Sequence, residues 1–169
     1  SDLNPELVAS HHYRVTDTPF VFTNGAMAAH VEVDVETGIV KVLDFWAVED
    51  CGRVINPMLV DEQIRGGVVQ GIGSALYEEC LYSDDGQLLN PTMADYLVPM
   101  ASEIPNIVVG HVETPTKTSE LGAKGAGEAG TGGAPAAIIN AVNDALMPLS
   151  KSIWQIPITP DRLLTTLNS

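Results

Sequence analysis

A single carboxylate, Glu128, stands in the run Gly122-Ala-Lys-Gly-Ala-Gly-Glu-Ala-Gly-Thr-Gly-Gly-Ala-Pro135, where six of fourteen residues are glycine. Glycine lacks a Cβ, so its backbone can approach a ligand closely and adopt positive φ. A carboxylate in such a run, just ahead of an apolar helical pattern, suits proton transfer. A helix N-terminus favours nearby negative charge by roughly 0.3–1 kcal/mol, and burial opposes it. A glutamate placed between these influences can serve as a general base. It can equally cap the helix, and sequence physics alone leaves both roles open.

Other chemistries fit less well. Gly125-Ala-Gly-Glu-Ala-Gly130 matches GxGxxG. A dinucleotide fingerprint needs a strand ending directly before the first glycine, whereas Pro115 to Lys124 intervenes, and Glu128 would point charge at the pyrophosphate. Lys124 precedes the glycines and no Gly-Lys-Ser/Thr follows, so a phosphate-binding P-loop fails. His11, His12, His30 and His111 show no zinc-binding spacing, and no Gly-x-Ser-x-Gly elbow occurs. Cys51 and Cys80 form no CxxC and supply neither a zinc site nor an iron–sulfur cluster; two free thiols are expected.

The elements that must position Glu128 can be read from periodicity. The chain has 169 residues, enough for one domain with a real core. Residues 1–23 read as an irregular N-terminal arm, and 24–169 as the domain. Val31, Val33 and Val35 alternate with Glu32 and Asp34, giving a half-wet strand. After a turn at Glu36-Thr37-Gly38, the run from Ile39 to Val48 predicts a more buried strand. Asn56-Pro57 reads as N-cap and first residue of a helix reaching about Glu79, with Leu59, Ile64, Val68, Val69, Ile72 and Leu76 inside. Gly66, Gly67, Gly71 and Gly73 on that helix cost about 1 kcal/mol each against alanine. Such costs suit close approach of another backbone or of a ligand. Ile107 to Val112 predicts a strand, Ala134 to Leu146 a helix, and Thr159-Pro160 the cap of a short last helix. Glu78 and Glu79 are expected to face water or to cap charge at the helix end. The fold class is α/β (α+β): a mixed sheet with hairpin strands and two main helices packed on it.

The formal charge of −14 argues against nucleic acid or an anionic membrane as partner. No apolar run approaches the roughly 18 residues of a membrane span. Ser1-Asp-Leu-Asn-Pro5 carries no basic or apolar leader, so a cytoplasmic location is expected. It reads like a start in mid-protein.

Four segments then converge: Asp50-Cys-Gly-Arg-Val-Ile-Asn-Pro57; Gln63-Ile-Arg-Gly-Gly-Val-Val-Gln-Gly-Ile-Gly-Ser-Ala-Leu-Tyr-Glu-Glu79; Gly122-Ala-Lys-Gly-Ala-Gly-Glu-Ala-Gly130; and Ile156-Pro-Ile-Thr-Pro-Asp-Arg162. In this order and spacing, residues 24–167 resemble the C-terminal part of the molybdenum-binding subunit of the xanthine dehydrogenase/aldehyde oxidase family. The bacterial group that includes the carbon monoxide dehydrogenase large chain is the nearest in form. The resemblance implies a molybdenum hydroxylase, which inserts water-derived oxygen at an electron-poor carbon of an aldehyde, purine or N-heterocycle. It implies Glu128 as the general base, Gln63 as a hydrogen-bond partner of the pterin, and Lys124, Gly125, Ala126 and Gly127 as the segment beside the cofactor. It also implies a molybdopterin, in its cytosine dinucleotide form, that holds molybdenum without protein ligands. Iron–sulfur clusters and FAD are expected on partner chains, beside the remainder of the molybdenum subunit. Ala129 stands where eukaryotic xanthine dehydrogenases have proline. The chain is several times shorter than the family's subunit, so it is expected to form about one wall of the site and to be inactive alone. The alternative is a structural or assembly module that keeps the fold without a cofactor.

Overall fold

A computed structural model describes residues 7–14 and 21–169. Part of the expected 1–23 arm lies outside the described residues; its described residues 7–14 have no regular secondary structure. Val31 and Val33 end β1 (Asn24–Val33), with Val35 already in the turn, and β1 pairs antiparallel with β2 (Val40–Asp50). Asp34 shapes the turn between them. Its Oδ1 accepts from the N–H groups of Glu36 and Thr37 (2.9 and 3.2 Å), and Gly38 follows at φ +74°. β3 (Asn106–His111) adds to β2 in parallel, giving a mixed sheet of order β1-β2-β3.

Two helices cover one face of this sheet. Helix α1 (Pro57–Leu76) starts as the sequence predicts: Asn56 Oδ1 accepts from Leu59 N (3.3 Å), and Pro57 occupies the first turn, where its missing N–H costs nothing. It closes at Leu76 rather than Glu79, because Tyr77 N and Glu78 N both donate to Gly73 O. Leu59 is exposed. It lies off the stripe of Ile64, Val68 and Ile72, which is fully buried against the sheet and α2. Helix α2 (Ala129–Leu146) contributes Ala134, Ile138, Val142 and Leu146 to the same core. It begins at Ala129, not Ala134, so Gly130, Gly132 and Gly133 are helical and Pro135 lies inside the helix.

That early start is explained by the crossing of α1 and α2. A Cβ on Gly67 would stand 2.9 Å from Thr131 N, and one on Gly130 would overlap Ile64 O and stand 2.9 Å from Val68 N. Thr131 Oγ1 reinforces the contact by donating to Gly67 O (3.1 Å). Gly71 meets Ala134 and Pro135 in the same seam. Tight helix packing therefore accounts for Gly67 and Gly71, while a Cβ on Gly66 would meet nothing within 4 Å.

In β2 the burial alternates. Val42, Phe45 and Ala47 are buried under the helices, whereas Trp46 and Val48 are exposed on the opposite face. The strand is more buried than β1, as expected, yet half-wet, since both main helices pack on one side. Helix α3 (Pro160–Asn168), capped by Thr159 Oγ1 accepting from Arg162 N, clasps the end of α1. Ile158 N donates to Ala75 O (2.7 Å), and Arg162 reaches Pro157 O and Glu79 (2.7 Å). Glu79 is therefore paired, and Glu78 accepts from Tyr96 OH (2.7 Å), rather than both simply facing water.

Candidate active site

The start of α2 sets the position of Glu128. It is the N-cap residue by backbone geometry, with φ −114° and ψ 8°, yet its side chain makes no capping hydrogen bond. Its backbone carbonyl closes the first turn, accepting from Thr131 N and Gly132 N (3.1 and 3.2 Å). The carboxylate is exposed and lines a cleft of about 370 Å³. Thr23, Gly25, Met27, Glu49 and Gly133 lie around it. Capping by the side chain is thereby removed from the two roles the sequence left open. The burial expected around Glu128 is not supplied by this chain.

Gln63 reaches the same loop from α1. Its Nε2 donates to Gly127 O (3.1 Å), bridging 64 positions of sequence. That bond leaves an amide N–H and the amide oxygen of Gln63 for a ligand. Gly66, Gly125 and Gly127 flank it, and a Cβ on any of the three would meet nothing within 4 Å. The structure thus ties Gln63 to the backbone of the Gly125–Glu128 segment, in which Gly125, Gly127 and Glu128 are exposed.

Lys124 behaves differently. Its side chain turns inward, 9% exposed, donating from Nζ to Thr114 Oγ1 (2.8 Å) and pairing with Asp50 (3.2 Å). Its backbone N–H donates to Cys51 O (2.7 Å). Lys124 therefore anchors the loop, and only its backbone is placed to border a ligand. Cys51 is buried and Cys80 exposed, and both are free.

Asp50 is the hub of this anchor. The Thr114 hydroxyl donates to it, and the N–H groups of Gly52 and Thr114 add two further bonds (2.9 and 3.1 Å). With the Thr114 hydroxyl as the largest cause, and with Lys124 also contributing, the carboxyl is held well below the usual carboxylate range. A depressed folded-state pKa contributes stability above the unfolded value, and that stability is lost as pH falls through the folded one. Thr114→Val is accordingly expected to lower stability at neutral pH and to move acid unfolding to higher pH. Circular dichroism along a pH series checks this; an unchanged acid midpoint would remove Asp50 from the account.

Sequence reasoning missed Glu49. It is 2% exposed, lines the same cleft as Glu128, and its Oε1 is buried with no hydrogen-bond partner. Burial pushes its carboxyl up, with the His111 charge working against it. The available signal was an acidic pair, Glu49-Asp50, directly after the apolar run Phe45-Trp-Ala-Val48. Among the described residues, no group of three His, Cys, Asp or Glu side chains could hold a metal ion. Among them, too, no helix is long and apolar enough to cross a membrane.

Comparison with known proteins defines the class first. The family model of the molybdopterin cofactor-binding domain matches residues 2–105. The nicotine 6-hydroxylase large subunit of Paenarthrobacter nicotinovorans is 46% identical over 144 residues, covering 85% of this chain and 18% of that protein. The carbon monoxide dehydrogenase large chain of Afipia carboxidovorans is 34% identical over 156 residues, covering 92% and 19%. Among solved structures, quinoline 2-oxidoreductase from Pseudomonas putida 86 superposes with a TM-score of 0.85 at 48% identity, covering 87% of this chain and 19% of that one. The chain belongs to the molybdenum-binding subunits of the xanthine dehydrogenase/aldehyde oxidase family, and spans about a fifth of the length of the relatives it matches. The exposed segment fits the family's pterin. A planar heterocycle with donors and acceptors on its edge suits a free amide beside Cβ-less backbone.

Proposed function

We propose that this chain forms one wall of a molybdenum hydroxylase active site, with Glu128 as the general base and Gln63 with the Lys124–Gly127 segment as part of the pterin cradle. The observation that carries this reading is the bond from Gln63 to Gly127 O, next to an uncapped Glu128. When bound, the molybdopterin supplies the oxygen transfer and the two-electron redox chemistry. The chain's part is positional and protonic. Gln63 fixes the loop through Gly127 O and offers its remaining amide groups to the pterin edge. Glu128, unconstrained by capping, takes up a proton on its carboxylate as water-derived oxygen is inserted at an electron-poor carbon.

The substrate class favoured is an aromatic N-heterocycle. Identity is 46% and 48% with proteins named for nicotine and quinoline, against 34% with the carbon monoxide dehydrogenase and aldehyde oxidoreductase structures. The remainder of the molybdenum subunit completes the site and shields Glu128 from water. Iron–sulfur and flavin partner chains remove the electrons, and the cytosine dinucleotide form of the cofactor and a cytoplasmic setting belong to the same reading.

Gln63→Leu in the complete enzyme tests the cradle. In the complete enzyme the pterin would cover this amide, and a hydrogen-bonding group left unpaired there costs about 1–3 kcal/mol, so cofactor retention through gel filtration should fall roughly fivefold or more by the same principle. Molybdenum and pterin content per subunit is the measurement. Wild-type content in the variant would remove Gln63 from the cradle.

A further inference from the structure

Three stretches that lie far apart in sequence meet at Lys124. Asp50 ends β2, Thr114 follows β3, and Gly122-Ala-Lys124 leads into the glycine-rich run. Backbone contacts join the first and the third. Gly52 and Ala123 form an antiparallel bridge, Lys124 N donates to Cys51 O (2.7 Å), and Arg53 N donates to Gly122 O (3.0 Å). The fit is close: Gly52 sits at φ +69°, and a Cβ there would overlap Gly122 O. Side chains close the junction. The Thr114 hydroxyl stands between the two charges, accepting from Lys124 Nζ (2.8 Å) and donating to Asp50 Oδ2. Lys124 Nζ also lies 3.2 Å from Asp50 Oδ2, with the two side chains only 9% and 11% exposed. Removing one partner of a pair at this depth leaves the other charge uncompensated.

The run that follows gains little from packing. Gly125 and Gly127 are exposed, and a Cβ on either would meet nothing within 4 Å. Glycine backbone loses the most freedom when it is ordered, and a ligand that must order it binds more weakly. Two ties lessen that cost from opposite ends. Gln63 holds Gly127 O (3.1 Å) next to the start of α2, and the junction holds Lys124 three residues earlier. Gly125 and Ala126 are left to span two fixed points. A lysine beside an anionic cofactor suggests another use, direct pairing with a phosphate. Here the ammonium is buried and already committed to Asp50 and Thr114.

We propose that Asp50 is a positioning residue for the cofactor: with Thr114 it holds the Lys124 ammonium, and so sets the Gly125–Gly127 backbone in place before the pterin binds. This inference rests on the reading of that segment as part of the pterin cradle. Asp50 touches no reacting atom and acts through Lys124. Lys124 in turn serves the cofactor by its backbone, not by its charge.

The test uses the complete molybdenum subunit with and without cofactor. Asp50→Asn removes the charge that pairs with Lys124. Without cofactor, amide hydrogen exchange at residues 123–127 should rise roughly tenfold more than exchange in the core of α1, as expected when a hydrogen bond to a charged group is lost locally. With cofactor, the molybdenum and pterin retained through gel filtration should fall roughly fivefold or more. Direct pairing of Lys124 with a cofactor phosphate predicts the opposite sign, because Asp50→Asn would free the ammonium and raise retention. A merely structural role predicts that exchange rises in α1 as much as in the loop. Unchanged or raised retention overturns the proposal, and so does exchange that rises evenly or not at all. Thr114→Val replaces Asp50→Asn if that variant fails to fold, and Thr114→Ser, which keeps the hydroxyl, should restore both readouts. Gln63→Leu separates the proposal from the reading beneath it. If Gln63→Leu loses cofactor while the Asp50 and Thr114 variants keep it, only the positioning role has failed; if all of them keep it, the cradle has failed.

Discussion

Glu128→Gln in the complete enzyme is expected to lower turnover by a factor of about 10² to 10⁴, the usual contribution of a positioned acid–base group, with molybdenum and pterin still bound. The geometry makes this substitution clean. The side chain makes no capping hydrogen bond, and α2 is closed by the Glu128 backbone carbonyl, which glutamine keeps. The residue is exposed, so no packing is disturbed. Glutamine preserves shape and an acceptor oxygen but cannot take up a proton at that oxygen near neutral pH. The only folding cost is the loss of a negative charge at a helix N-terminus, roughly 0.3–1 kcal/mol. Steady-state kinetics with metal analysis separates the outcomes. Lost turnover with a full complement of metal supports the base; turnover within a fewfold of wild type would sink it.

The residues that do this were only partly legible beforehand. Glu128 stood out because a lone carboxylate among glycines has no packing reason to be there. The strands and α1 were readable because alternation, Asn56-Pro57 and the turn at Glu36-Thr37-Gly38 are local signals. The start of α2 was not, because intrinsic propensity puts Gly130, Gly132 and Gly133 outside a helix. Only the passing backbone of α1, far away in sequence, reverses that preference. Lys124 was placed in the cofactor segment by the family resemblance, and its turn toward Asp50 depends on Thr114, ten residues upstream. Trp46 and Val48 looked buried because a sequence does not say how many faces of a sheet are covered. The pairing of Glu49 with His111 escaped notice for a related reason: the parallel ladder of β2 and β3 joins residues that no spacing rule connects.

Gly130 is where the disagreement between local and tertiary signals gives the sharpest stability prediction. Propensity alone predicts that Gly130→Ala stabilises α2 by about 1 kcal/mol. The crossing predicts the reverse. The new methyl would overlap Ile64 O and press on Val68 N, both backbone atoms of α1 that have no rotamer to yield. Overpacking a tight contact costs typically about 1–3 kcal/mol, sometimes more, and here separating the helices would also stretch the Thr131 to Gly67 hydrogen bond. A net loss of about 2 kcal/mol is expected once the propensity gain is subtracted. Gly66→Ala supplies the control on α1, outside the seam. Its Cβ meets nothing within 4 Å, so propensity acts unopposed and the cofactor-free protein should gain about 1 kcal/mol. Denaturant midpoints of the two variants, measured without cofactor, read the signs directly. If Gly130→Ala and Gly66→Ala shift stability in the same direction, backbone contact between α1 and α2 does not fix the start of α2. Opposite signs tie the position of Glu128 to that contact: the crossing holds Gly130 against α1, two residues after the carboxylate it aims into the cleft.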